Sequence, residues 1–593
     1  MIDSSASNLF LEVENAIDFR DRHMVSMKDM IKRYAGTDYN NTYTHDVQPD
    51  VDNHAFEYIS LVLPKIVYDN PAVKIDSRRP TLQGETVAKV QLAMNRWIND
   101  TQFRETLHRA AMDMMFGWGV LMTVSEPVPG QRPADEAVKS LPRVYRIAPE
   151  HFFMDPKAGH WTESRFMGHS YAMLREELID AAENDDTYDM EAIQELAGNS
   201  GMNKHDGTST YQETSKYRDE VAIYEIWCPN TGSEAESDGK HHGMLYTLAV
   251  AGPTSTDDEP FVGYVRAPQP YYGPRSGPYT LLGIYNVPGD PYPLSPLTAT
   301  NQLTQEINGS LRQLVSNGQS YKRIYLVDAK NKKLATDIKE MPDRFVIPVE
   351  GLDTQRVMPM ELGGITAQHV QYQNLLTDKL DRQSGINDAQ RGNLSGDATA
   401  TAVAVAESGA TVRLAHIQRQ FAEGVKDSLH TVLWYFFHDN TIVLPLGRDA
   451  MMQLGEIDPI FTGGDVDGDY DDLLMTIDPY SMERTSEVVL QRRAIEVVQL
   501  IGNIAPLFAQ APWVDWPSVM AMLGQTMNIP SLGSIIDLEK AAEAMQQGMI
   551  GPAGSGGGGV SQMAPSENPV AGTNENQQQI DAALRSVVAR AGV

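Results

Sequence analysis

Residues 399–438 read TATAVAVAESGATVRLAHIQRQFAEGVKDSLHTVLWYFFH. Within them Val403, Ala406, Ala410, Leu414, Ile417, Phe421, Val425, Leu429, Val432 and Phe436 follow one another at steps of three or four. Nine steps cover 33 positions, about 3.67 residues each, close to the α-helical period. The run predicts a single helix of about 40 residues, which at about 1.5 Å per residue is about 60 Å long. One compact domain rarely needs that length, whereas a spine joining sub-domains does. Leu414, Ile417, Phe421, Val425, Leu429, Val432 and Phe436 form its predicted packing line.

Upstream of the spine, SGINDAQRGNLSGDA (384–398) is a loop with three glycines. Before it, Ile365, His369, Tyr372, Leu375, Leu376 and Leu380 predict a helical rod over about 365–383. Another rod opens at Ser295-Pro296, a serine cap followed by a first-turn proline, and ends at Asn317-Gly318. Leu303, Ile307, Leu311 and Leu314 give it an apolar line. Between the rods, Ile324–Val327 and Phe345–Val349 predict strands of a short β block. Two rods of similar length thus flank a small β insertion.

The first half of the chain reads as α+β. Helices are expected over 8–35, with Gly36 as its cap, and over about 55–68, 83–99 and 102–116. A strand is expected at 120–124. From 140 to 270 the period shifts to two, as in Val221–Trp227 and Leu245–Val250, with a helix at about 173–184. The polar stretch 188–218 reads as a surface insertion. Downstream of the spine, 441–483 holds ten acidic residues and one basic residue, Arg448. A helical region follows over 483–550. Then GPAGSGGGG (551–559) opens a flexible tail with a short terminal helix.

Composition narrows the function. The 593 residues are 41% hydrophobic and 21% charged, enough to bury a large core. No apolar run approaches the ~20 residues of a membrane-spanning helix. The N-terminus predicts no secretory signal, and the lone Cys228 fits a reducing compartment. Lys and Arg number 48 against 79 Asp and Glu, a net charge of −31, so any basic footprint for nucleic acid is local. No phosphate-binding G-x-x-x-x-G-K-[ST] loop, H-E-x-x-H pair or convincing nucleophile elbow is present.

Two clusters are candidates for metal chemistry. Asp465, Asp467, Asp469 and Asp471, followed by Asp472, place carboxylates at alternate positions like the start of a calcium loop, but Tyr470 and Thr476 stand where glycine and Glu belong. A solvated acidic turn is favoured over a weak cation site. His241-His242 reads as a polar loop lacking a third ligand, and His430 and His438, on the long helix, as ordinary surface or interface residues. No cofactor is expected.

The order of elements resembles the portal protein, the head-to-tail connector, of tailed double-stranded DNA bacteriophages. That family is built as an α+β wing, a stem helix, a β-containing clip, a second stem helix, a tunnel loop, a long wing helix and a helical crown, and the match covers most of 1–550. Local text agrees. DMMFGWGVL (113–121) resembles the family's helix-to-strand G-x-G turn. VYRIAPEHFFMDP (144–156) resembles the stretch that ends in Asp-Pro. Thr399-Ala400-Thr401 resembles the T-A-T segment, although Ala402 stands where an acidic residue often follows. Order and spacing carry the resemblance, more than any one motif.

The resemblance implies a portal fold with a wing (1–291), stem helix (292–318), clip (319–362), second stem helix (363–383), tunnel loop (384–398), spine helix (399–440), acidic wing segment (441–482), crown (483–550) and tail (551–593). It implies a non-enzymatic ring, usually of twelve subunits, at the portal vertex of a virion, assembled in the host cytoplasm. Its partners are double-stranded DNA, the terminase, head–tail adaptor or tail proteins, and capsid or scaffolding proteins. Asn387, Gln390, Arg391 and Asn393 become the DNA-facing residues of the tunnel loop, and the competing reading is a plain connection. Lys322, Arg323, Lys330, Lys332 and Lys333, against Asp328 alone, become a basic docking edge. Solvated lysines and DNA contact are the alternatives for that edge. Two other functions compete with the whole reading: a metal-dependent hydrolase built on the Asp465–Asp472 carboxylates, and an internal scaffolding protein.

Overall fold

The computed structural model describes residues 5–36, 52–78, 84–127, 140–185, 187–195, 220–229, 239–251, 261–319, 322–327, 357–362, 365–385, 400–447, 450, 454, 459–464, 470–477 and 482. The chain divides into two units, Met1–Arg484 and Thr485–Val593, and every described residue belongs to the first. The crown and tail expectations therefore lie outside the described residues.

The fold is mixed α and β. Its helices are α1 (Ala6–Tyr34), α2 (His54–Ile66), α3 (Gly84–Asp100), α4 (Phe103–Phe116), α5 (Arg175–Asn184), α6 (Met190–Glu195), α7 (Thr298–Gln319), α8 (Ala367–Ser384) and α9 (Ala400–His438). The strands are β1 (Val73–Ser77), β2 (Gly119–Pro127), β3 (Ser140–Ile147), β4 (Phe152–Met154), β5 (Met167–Leu174), β6 (Glu220–Cys228), β7 (His241–Ala251), β8 (Phe261–Tyr272), β9 (Tyr279–Leu282), β10 (Tyr285–Val287), β11 (Asp290–Leu294), β12 (Lys322–Val327), β13 (Val357–Leu362), β14 (Val443–Pro445), β15 (Ile460–Thr462) and β16 (Leu473–Ile477).

Period-two patterning builds the larger sheet, an antiparallel β4-β5-β6-β7-β8 array. Alternate residues face opposite sides. Ile226 and Cys228 of β6 and Tyr246 and Leu248 of β7 pack with Leu9, Val13 and Ile17 of α1. Val221, Ile223 and Ala249 turn the other way, onto Leu178 of α5 and Ile193 of α6. The sheet is thus covered on both faces.

The smaller sheet, β3-β2-β9, begins where α4 ends at Gly117-Trp118-Gly119. A Cβ on Gly119 would stand 2.2 Å from the Ala110 carbonyl oxygen, so this turn admits only glycine. The main core lies between this sheet, α2, α3, α4 and the C-terminal two-thirds of α9. Strand β16 returns from the acidic segment to pair antiparallel with β1, joining residues 396 to 404 positions apart (Ser77 with Leu473, Val73 with Ile477).

Four local expectations change. The first rod begins at Thr298 rather than at Ser295-Pro296. Ser295 donates its hydroxyl to the Met115 carbonyl (2.6 Å) and accepts from the Leu297 amide (3.0 Å). It therefore pins the turn before the helix to the end of α4. The same rod runs through Asn317-Gly318 to Gln319. The stretch read as a surface insertion starts with α6, because Ile193 has an apolar socket to fill and Asp189 accepts from the Glu191 and Ala192 amides. Residues 196–219 lie outside the described set. His241-His242 opens strand β7 instead of lying in a loop.

Candidate functional site

The element that stands apart is the α7–α8 hairpin. The buried apolar residues that α7 and α8 share are Ile307, Leu376 and Leu380, with Leu303 half-buried beside them. Ile365, Val370, Tyr372 and Leu375 are 53%, 43%, 50% and 50% exposed. Charge is also scarce. From Ile307 to Gln319 the only charged side chain is Arg312, and from Ile365 to Thr377 there is no Asp, Glu, Lys or Arg.

Both ends of α8 are fixed by local chemistry. The Thr366 hydroxyl accepts from the His369 amide at the start. Gly385 ends the helix at φ +74°, a conformation that favours glycine. The Arg413 guanidinium of α9 then donates to the Arg382 and Gln383 carbonyls (3.1 and 2.8 Å), satisfying the last turn of α8 from outside. The base of α7 is tied to the N-terminal helices. Buried Arg33 of α1 donates to the Asn301 side chain and, at 2.7 Å, to Asp29. The Asn308 carboxamide accepts from the Asp52 amide (3.0 Å) and donates to its carbonyl (3.3 Å).

The spine α9 runs for 39 residues, about 58 Å at helical rise. Ile417, Phe421, Val425, Leu429, Val432 and Phe436 are buried in the main core, and Leu414 packs half-buried at its edge. A carboxylate clasp closes its C-terminal end. Asp439 accepts from the Ser125 and Ser140 hydroxyls (3.2 and 2.7 Å) and from the Thr441 amide and hydroxyl (2.9 and 2.6 Å). Burial by itself would raise the Asp439 pKa. The hydroxyls of Thr441, Ser140 and Ser125 and the Thr441 amide outweigh that, holding it below the ordinary carboxylate range.

The remaining sequence candidates fall as follows. Lys322 and Arg323 lie on β12, in register with Leu362 and Glu361 of β13. Lys330, Lys332 and Lys333 lie outside the described residues, as do Asn387, Gln390, Arg391 and Asn393. Of the acidic cluster, Asp465, Asp467 and Asp469 are outside. Asp471 and Asp472 belong to a short 3-10 turn, where Asp472 is buried and its carbonyl accepts from the Arg78 amide. Among the described residues no group of three or more His, Cys, Asp or Glu is arranged to hold a metal ion. His430 lies beside the Tyr470 hydroxyl (3.3 Å). Burial, with Lys426 and Arg78 nearby, lowers its pKa to about 4, so it stays neutral at physiological pH. His438 stacks on Trp434. The Asp155 carboxylate of the Asp-Pro stretch is buried and gripped by Arg165 at 2.5 and 3.0 Å, a structural pairing.

Sequence reasoning missed Asp439, Arg33, Asn308 and Arg413. Each is one polar residue whose partner lies far along the chain, up to 314 positions away for Asp439 and Ser125. No helix of the described residues is long and apolar enough to cross a membrane. No known family model matches this chain, and no curated protein sequence matches it.

Proposed function

We propose that this chain is the subunit of a portal-type ring, a channel for double-stranded DNA at one vertex of a virus capsid. The observation that carries the reading is the α7–α8 hairpin, with its core of three apolar residues, its charge-poor stretches 307–319 and 365–377, and four exposed large apolar side chains. Depletion of charge together with aromatic and aliphatic exposure marks the core of a protein interface. Copies of the same chain are the simplest cover, and a head-to-tail contact between copies closes into a ring. The resemblance of the element order to phage portals supplies the expected number, usually twelve.

In this reading α7 and α8 are the stem helices, β12 and β13 belong to the clip, and α9 carries load from the stem into the mixed α/β wing. The net charge of −31 keeps passing phosphates from adhering to the wall. The 384–398 loop, with Asn387, Gln390, Arg391 and Asn393, faces the duplex. The edge of Lys322, Arg323, Lys330, Lys332 and Lys333 docks the terminase and then a head–tail adaptor or tail protein. The wing meets capsid or scaffolding protein. The subunit resides in the virion and has no catalytic task.

The test is a paired substitution, Tyr372→Glu with Leu375→Glu. Both side chains are half exposed, so the folded chain should tolerate the change. Light scattering is predicted to fall from a ring mass to that of a single chain, with an unchanged circular dichroism spectrum. An intact ring mass in the double variant would argue against this interface.

A further inference from the structure

The exposed guanidinium of Arg413 is engaged on one side only. Its Nη1 donates to the Arg382 and Gln383 carbonyls at the end of α8 (3.1 and 2.8 Å). Among the described residues, its Nε and Nη2 meet no acceptor and no carboxylate. Those two nitrogens form a fork that can hold a carboxylate or a phosphate by two parallel hydrogen bonds. Other exposed helical arginines are neutralised one turn along their own helix: Arg96 by Asp100, Arg109 by Glu105 and Arg419 by Glu423, at 2.7, 2.5 and 2.9 Å. Arg413 has only Gly409 and Ile417 at those spacings. A Cβ on Gly385 would stand 2.7 Å from Arg413 Cδ and 3.4 Å from its Nε, so bare backbone at 385 is what leaves that side of the guanidinium uncovered.

The surroundings add donors and little negative charge. Arg382 and Lys379, on the last turns of α8, are exposed and make no ion pair among the described residues. His416, one turn beyond Arg413, is exposed, and its ring lies 5.9 Å from that of Tyr285, which is 38% exposed. An imidazole carries an N–H in either protonation state, and a phenol is a further donor. The acidic residues at this end of α8 are Asp378 and the half-buried Asp381. In a chain of net charge −31, three cations and two neutral donors around one open fork make a local basic footprint.

We propose that Arg413, with Arg382 and Lys379 beside it, is a contact site for the phosphate backbone of duplex DNA. The Arg413 fork takes one phosphate. Arg382 and Lys379 stand three residues apart, neighbours on one side of α8, and meet further phosphates of the same backbone. Contacts of this kind position a duplex without reading its sequence. In a closed ring every copy presents the site at the same level, so the duplex is held there while the acidic remainder of the wall repels it. The open cationic fork belongs to the folded chain itself; that its ligand is DNA rests on the channel reading.

Fluorescence anisotropy of a labelled duplex of about 30 base pairs, titrated with the full chain between about 25 and about 200 mM salt, gives Kd and its salt slope. Arg413→Gln and Arg382→Gln are each predicted to weaken binding about three- to tenfold at the low-salt end. Each should also reduce the slope by about 1 for every copy that touches the duplex. Arg413→Lys keeps the charge and loses the fork, so it should retain the slope and weaken binding less. Arg382→Gln leaves the Arg413 cap on α8 in place, so its effect cannot come from a loosened helix end. Arg109→Gln, remote in sequence and paired with Glu105, should change neither quantity. A double variant, Arg382→Gln with Arg413→Gln, that binds as the parent does overturns the site, and so does a parent that fails to bind duplex at about 25 mM salt. Inorganic phosphate that displaces the duplex well beyond sodium chloride of equal ionic strength assigns the fork to free phosphate and also overturns it. Light scattering on the same samples separates the two readings. A ring mass with unchanged binding in the double variant sinks this site alone, whereas a single-chain mass in the parent counts against the ring alone.

Discussion

Asp439 gathers contacts from distant parts of the chain onto one carboxylate. It draws hydroxyls from β2 and β3 onto the end of α9, so its loss leaves three buried or half-buried hydroxyls short of an acceptor. Asp439→Ala is predicted to cost about 2–3 kcal/mol, read by urea unfolding. A pH dependence follows from its lowered pKa. The carboxylate's contribution is fully present above the unfolded-state value of about 3.9 and fades as pH falls through the lower folded value. Asp439→Asn should therefore flatten the acid limb of the stability curve below about pH 4 and leave its neutral and alkaline limbs parallel to the parent's. Gly119 supplies a second test at this scale. Gly119→Ala drives a methyl into the Ala110 carbonyl, a backbone atom that cannot yield without moving α4. A loss of about 1–3 kcal/mol is expected, and an unchanged melting temperature would mean the turn is looser than described. Such residues were the least legible in the sequence. Nothing in the text around Asp439 points to Ser125 or Ser140, because a single polar contact leaves no periodic trace.

At the level of elements legibility was high wherever an apolar period could accumulate. The α9 stripe from Leu414 to Phe436 is readable because every third or fourth residue meets the same core. The α1 line and the alternating runs of β6 and β7 are readable for the same reason. Short or borrowed elements were not. Helix α6 has six residues, and Ile193 is the one fully buried side chain among those described, too few for a pattern. The start of α7 was misplaced because Ser295 looks like a cap while its hydroxyl serves a turn against α4. The pairing of β1 with β16 is set by the tertiary fold and not by local text. Two substitutions should separate the spine's roles. Phe421→Ala removes a fully buried ring and is predicted to cost about 3–5 kcal/mol, read as a lowered unfolding midpoint. Val412→Glu, at a position 70% exposed on the same helix, should leave that midpoint within about 0.5 kcal/mol of the parent's.

At the scale of the whole molecule, a packed α/β body carries a hairpin that leaves four large apolar side chains exposed. The body has its own cores on both faces of the larger sheet and around α9. The hairpin has three buried apolar residues of its own, and its stretches Ile307–Gln319 and Ile365–Thr377 carry a single Asp, Glu, Lys or Arg between them, Arg312. That imbalance is the reason to expect neighbours, and the difference between exposed sides of one chain is the reason to expect a closed ring of head-to-tail contacts. Because the interface surface carries few charges, the assembly should persist as salt is raised, unlike one held by ion pairs. The measurement that tests this most directly is the native mass and shape of the purified chain, by light scattering and negative-stain electron microscopy, in low and in high salt. The account predicts rings of about twelve subunits with a central hole under both conditions, twelve being the number the resemblance implies. A monomer at high concentration, or a two-fold dimer, in both salts would contradict it.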